Sequence, residues 1–208
     1  MVTCHHHHTT SHQPPATRQS IIRPLYTPYT MSYAGSCSCA NLKWTFNTTP
    51  TSTVHCWCKS CRLVHAAPFV TWSIFPARAL EWQGEHQHLN REDVKPEPLK
   101  QDGERKTTGS LVRRRAGCCT RNSCAECGTP VMITEQDVVG IISVPTALLT
   151  VGPQDGTTEA DKVDYRTALR PTSHIWLEDR IDWCAIPEDG LPRYQRYEEK
   201  DRNDKLVK

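Results

Sequence analysis

Residues 56–61 read Cys-Trp-Cys-Lys-Ser-Cys, and with Cys37-Ser-Cys39 and Cys124-Ala-Glu-Cys127 they decide how this chain is held together. In an extended strand, residues i and i+2 point to the same side, so both sulfurs of a Cys-x-Cys can reach one ion. The Cys-x-x-Cys before Gly128 folds two thiolates onto one side, and the glycine relieves the tight backbone. Zinc takes four ligands in a closed site, and typically three from the protein where a position must admit a substrate. Seven clustered cysteines therefore point to one closed and one open site, hence two zinc ions per chain. Buried thiols without a metal have no need of ligand spacing three times over. Spacing leaves the partition open. Cys58 and Cys61 could join Cys124 and Cys127 in a two-knuckle ribbon, leaving Cys37, Cys39 and Cys56 over. Alternatively Cys37 and Cys39 join Cys124 and Cys127, and Cys56, Cys58 and Cys61 stay together as a trio, which keeps every cluster intact.

Composition supports a chain that depends on such staples. Leu, Ile, Val and Phe make up 38 of its 208 residues, under the roughly 20% at which disorder becomes an alternative. The net charge is only +2, so the other half of the disorder signature is absent. A core this thin needs a second source of stability. The most apolar stretch, Val138 to Val151, is short and interrupted by Pro145, so no membrane association is expected. The sequence opens Met-Val-Thr-Cys-His-His-His-His without a basic n-region or an apolar run. That leads us to expect the cytoplasm, with the nucleus as the alternative, where thiols stay reduced and available to metals.

Along the chain, residues 1–30 are rich in Thr, Pro and His and read as a disordered lead-in; the run His5–His8 is read as adventitious. Apolar Leu42, Trp44 and Phe46 alternate with polar Lys43, Thr45 and Asn47, the pattern of a half-buried strand. Phe69–Phe75, with Val70, Trp72 and Ile74 on one face, predicts another strand, and Pro130–Thr134 and Val138–Val144 two more. No long helical period is visible; Pro76–Trp82 makes one or two turns at most. The chain reads as mainly β. Residues 85–123, with Gln101–Lys106 and Arg113-Arg-Arg115, read as a long, basic, solvated loop. No aromatic residue interleaves there to stack on bases, so nucleic acid is not an expected partner. Cys118 and Cys119 fall in that loop as spare thiols, and Cys184 beside Trp183 reads as a small buried hydrophobe. Residues 197–208 form a charged tail.

The motifs also stand in a telling order. Gly35-Ser-Cys-Ser-Cys39, His55-Cys-x-Cys-x-x-Cys-Arg62, Ala67-Pro-Phe-Val-x-Trp72, Phe75-Pro76, Ala79-Leu-x-Trp82 and Cys124-x-x-Cys-Gly-Thr-Pro130 follow one another. After them come His174-Ile-Trp176 and Asp189-Gly-Leu-Pro-x-Tyr194. This set resembles the glutathione-dependent formaldehyde-activating enzyme and centromere protein V family over about residues 33–194, less the loop and much of 146–170, within a domain we bound at 31–196. The resemblance implies a β-tent of small antiparallel sheets joined through zinc, with long loops. It implies that Cys37, Cys39, Cys124 and Cys127 hold a structural zinc, and Cys56, Cys58 and Cys61 a catalytic one. It further implies a carbon–sulfur lyase acting on a thiol–aldehyde adduct such as S-(hydroxymethyl)glutathione, with a small thiol and an aldehyde as partners.

Departures from the family pattern are local. Where the family has Ser/Thr-Gly-Ala-Pro stands His65-Ala-Ala-Pro68, which argues against a close backbone approach by substrate at Ala66. Its Cys-Gly after the Cys-x-Cys is Cys39-Ala40. His65 reads as a packed histidine rather than a fourth ligand or proton carrier, and His55 as a hydrogen-bond donor to a thiolate. His174, Trp176, Trp183 and Tyr194 are expected to pack the C-terminal segment against the sheet. The competing function is a non-catalytic zinc module for chromatin or cytoskeletal association, which the centromere branch implies. The intact trio favours the enzyme, because a binding module needs no open metal site.

Overall fold

A computed structural model describes residues 32–90, 101–135, 140–150 and 167–197. The lead-in and nearly all of the charged tail lie outside them, as do Val138 and Val139. Two sheets carry the described chain. The smaller has the order β11 (Leu149–Thr150), β1 (Tyr33–Ser36), β2 (Lys43–Phe46), β5 (Leu80–Trp82), antiparallel throughout. The larger runs β12 (Ser173–Ile175), β3 (Ser52–Cys56), β4 (Val70–Pro76), β10 (Ile141–Pro145), β9 (Pro130–Glu135), β8 (Cys119–Cys124), β7 (Leu111–Ala116), β6 (Arg105–Thr108). Among the described strands, β12 and β3 are the one pair that runs parallel. The mainly β expectation holds.

Alternation explains where the core sits. Tyr33, Trp44 and Phe46 point inward from the small sheet, and Phe75, Val131, Ile142 and Val144 point inward from the large one. Phe46 and Phe75 stack at 3.9 Å between centroids, 8° from parallel. The other face of the large sheet carries a smaller cluster of Val54, Cys56, Cys61, Val70 and Trp72. Gly35 lies opposite Trp44 in the β1–β2 ladder, and a methyl group there would meet the indole at 2.5 Å. Gly35→Ala should therefore destabilise the domain by about 1–3 kcal/mol through overpacking. A lowered urea midpoint at constant slope is the expected result; an unchanged midpoint would mean that the indole yields freely.

The reading of residues 85–123 as a solvated loop is corrected. Residues 105–124 build three strands of the large sheet. Arg113 is buried, and so are Leu111 and Val112. Residues 91–100 lie outside the described chain. Backbone ladders rather than apolar alternation hold this part together, so charged side chains do not forbid strand here. Gly109-Ser110 and Gly117-Cys118 close the two hairpins as two-residue loops, with both glycines at positive φ, 55° and 58°. Helix α1 (Lys59–His65) is seven residues long and shows no helical period in the sequence. Trp183, expected in a buried patch, is 75% exposed.

Candidate functional site

The structure brings the clustered cysteines together as two groups, Cys37 with Cys39, Cys124 and Cys127, and Cys56 with Cys58 and Cys61. Within each group the sulfurs all lie within 4.8 Å of one another. Cys37 and Cys39 follow the end of β1, while Cys124 ends β8 and Cys127 sits in the turn toward β9. The quartet thus stands where the small sheet meets the large one. Its sulfurs approach to 3.4 Å between Cys37 and Cys39 and 3.8 Å between Cys39 and Cys124. Four sulfurs bound tetrahedrally at about 2.3 Å from zinc are about 3.8 Å apart, so the group fits the ion. The Leu42 N–H donates to the Cys37 sulfur at 3.2 Å, and the Thr129 hydroxyl lies 3.1 Å from that of Cys127. Hydroxyls of Ser38 and Thr129 hold the Cys127 thiol down at about 4. The Asn41 backbone lowers Cys39, yet the Cys127 and Cys37 sulfurs push it up to about 12.

The trio is assembled by α1. Cys56 ends β3, and Cys58 caps the helix, its sulfur accepting the Cys61 N–H at 3.3 Å. Cys61 then comes round on the first turn, 3.8 Å from Cys56 between sulfurs. The Asp179 carboxylate accepts the Lys59 N–H at 3.0 Å, adding a second cap from far along the chain. The helix ends on Ala66 in the left-handed region, φ 49°, with its N–H on the Arg62 carbonyl. Ala40 also has positive φ, 58°. Both alanines hold the left-handed conformation that favours glycine, at a cost of about 1–2 kcal/mol each. Ala66 shapes the helix end and is not part of the cavity wall.

Ionisation within the trio is uneven. The Cys56 and Cys58 thiols, and then the Arg121 guanidinium, hold Cys61 down at about 3. The Cys58 and Cys61 sulfurs, and then burial, push Cys56 well above its ordinary value. Three sulfurs this close do not all ionise unless a cation sits among them. An all-sulfur donor set suits zinc or another thiophilic ion. The residues present fit the metal.

Beside the trio opens a cavity of about 700 Å³. Cys56, Cys58 and Cys61 line it, with Trp72, Ile133 and Trp176 as apolar walls and Arg121 as a cation. Arg121 donates from Nη2 to the Ser60 hydroxyl at 2.7 Å, while its buried Nε and Nη1 have no hydrogen-bond partner among the described residues. Cys118 and Cys119, expected as spare loop thiols, line the same cavity. Burial pushes the Cys119 thiol up to about 11.

Around this site the histidines are placed by packing. His65 stands edge-on to Trp72 and is outside the trio's ligand group. His55 hydrogen-bonds the Thr71 hydroxyl at 2.9 Å through Nδ1 and stacks on His174, so the expected bond to a thiolate is replaced. Fully buried His174 accepts the Trp57 indole N–H at 3.1 Å and meets the Asp189 carboxylate at 3.1 Å through Nε2. Asp189 and His174 thereby tie the C-terminal segment to the residue between Cys56 and Cys58. Burial raises the Asp189 carboxyl, and the Leu191 N–H with the His174 ring outweighs it, leaving the group below its ordinary range. Trp176 belongs to the cavity wall and meets Tyr197 edge-on at 5.0 Å.

A family model described as glutathione-dependent formaldehyde-activating enzyme matches residues 32–179. No curated protein matches the chain. A crystal structure of a Rhodobacter sphaeroides protein aligns at 13% identity and a TM-score of 0.36, covering 62% of this chain and 94% of that one.

Proposed function

Because the chain belongs to the glutathione-dependent formaldehyde-activating enzyme family, we propose that it joins a thiol to a small aldehyde and parts the adduct again. It acts in this reading as a zinc-dependent carbon–sulfur lyase on an adduct such as S-(hydroxymethyl)glutathione. The observation that carries the reading is the trio of Cys56, Cys58 and Cys61 facing a cavity of about 700 Å³. Zinc held there by Cys56, Cys58 and Cys61 would supply a Lewis acid at the cavity. In the forward direction the thiol sulfur bonds to the aldehyde carbon, the carbonyl π pair goes to oxygen, and the proton lost by sulfur ends on that oxygen. Nothing is oxidised or reduced.

The chain's own residues bind and orient. Arg121, beside Cys61, offsets the negative charge of three thiolates and of the entering sulfur. Trp72, Ile133 and Trp176 keep water from the reacting atoms. Holding thiol and aldehyde together supplies most of the acceleration, since the free addition is already easy. The quartet in this reading is a structural zinc site. A reducing compartment, the cytoplasm, is the proposed setting, because the site needs unpaired thiols.

The test is exchange spectroscopy of glutathione with formaldehyde. The native chain should accelerate exchange several-fold over buffer, and Cys58→Ser should return it to the buffer rate. Equal rates for the two proteins would remove the lyase reading. The alternative, a non-catalytic chromatin module, draws on exposed Arg105 and Arg114 at the edge of the large sheet.

A further inference from the structure

One row of side chains crosses the large sheet in register. Ser52 is opposite Ile74, Ile74 opposite Ser143, Ser143 opposite Ile133, and Ile133 opposite Arg121. All five line the cavity. The row then runs on as Arg114 of β7 and Arg105 of β6, both exposed. Directly opposed residues share a face, so the three arginines stand side by side on the cavity side of the sheet. Ala116, two residues after Arg114, lines the cavity and fixes that side.

The three cations have no carboxylate between them in the row. Neither Arg105 nor Arg114 has an ion-pair partner among the described residues. Asp102, at the cavity wall, has its Oδ1 occupied by the N–H groups of Gly103 and Gly117, at 3.1 and 3.0 Å. Like charges directly opposite one another repel, and an anion laid along them relieves that repulsion.

We propose that Arg105, Arg114 and Arg121 form a carboxylate-binding track. It seats the acidic body of the thiol while its sulfur reaches the Cys56, Cys58 and Cys61 cluster. The proposal rests on the thiol–aldehyde reading and narrows its substrate to thiols bearing carboxylates. Adjacent strands are about 5 Å apart, so the track extends about 10 Å outward from Arg121. A tripeptide-sized thiol spans roughly that length. Guanidinium groups take carboxylates in paired hydrogen bonds, which gives the track orientation as well as charge. A nucleic-acid backbone fits less well, because the row turns into the cavity at Arg121 instead of continuing over the outer surface.

S-methylglutathione keeps both carboxylates and cannot form the adduct; its dimethyl ester lacks those two negative charges and keeps the ammonium. Calorimetric titration of each into the zinc-loaded chain separates binding from chemistry. The native protein should prefer the acid by about tenfold or more, as charge-assisted hydrogen bonds predict, and salt should weaken that preference. In Arg105→Gln/Arg114→Gln the preference should shrink to about threefold or less, two of the three cations being gone. A native chain that binds neither ligand or both equally, or a variant with the full preference, would overturn the track. So would an oligonucleotide that needs Arg105 and Arg114 and resists displacement by S-methylglutathione. Exchange with formaldehyde can fail while the acid still binds, and the reverse, so this proposal and the lyase reading fail separately.

Discussion

Cys124→Ser should lower the melting temperature of the domain by roughly 10–20 °C, taking about 5 kcal/mol lost and 2–4 °C per kcal/mol at this size. Cys124 belongs to the group that also holds Cys37 and Cys39, just past β1 of the small sheet, and Cys127 of the β8–β9 turn. An ion bound there links two sheets whose shared core is short of aliphatic residues. Binding free energy at such a site is folding free energy, because the unfolded chain presents no preformed quartet. Cys58→Ser removes a half-buried ligand at the cavity and should shift the melt far less. Thermal scans of the zinc-loaded proteins make the comparison. Equal losses for the two variants would mean that the closed and open sites are wrongly divided.

Two zinc ions per chain, unequally held, are the second large effect expected. Four sulfurs would enclose one ion, while three would leave the other facing a cavity of about 700 Å³ through which a chelator can enter. A mild chelator should remove one zinc early and abolish exchange while the fold persists. A strong one should then remove the second and unfold the chain. Elemental analysis alongside far-ultraviolet circular dichroism reads both stages. A single tightly held ion, or the visible absorption of an iron–sulfur cluster, would refute the two-site picture.

How far these sites could be read before the fold was known differs from residue to residue. Leu42, Trp44 and Phe46 announce β2, and Val70, Trp72 and Ile74 announce β4, because each strand buries one face against a core. The cysteine spacings foretold three local clusters, and only the fold brings Cys37 within reach of Cys127 across most of the domain. Strands β6 to β8 went unseen, since Arg113 is buried and Arg114 exposed with no apolar alternation to mark the difference. Gly109-Ser110 and Gly117-Cys118 were the available signal, two glycine-led loops between short β-prone runs. Helix α1 had none. One of its caps, Asp179, comes from the far end of the domain. The cavity role of Cys119 depends on strand register, which follows from pairing and not from the residue's own neighbours.

The large sheet is also a partition between two kinds of consequence. On β10, Ile142 and Val144 belong to the interior shared by the sheets, whereas Ser143 between them looks into the cavity. On β9, Met132 faces one way and Ile133 the other. A substitution at an even step along either strand therefore stays on its own side of the wall. Descendants of this chain can re-tailor the chamber for a different small molecule through Ser143 or Ile133 without disturbing the residues that hold the two layers together. Neighbouring positions on these strands thus carry separate duties, one toward the chamber and one toward the interior.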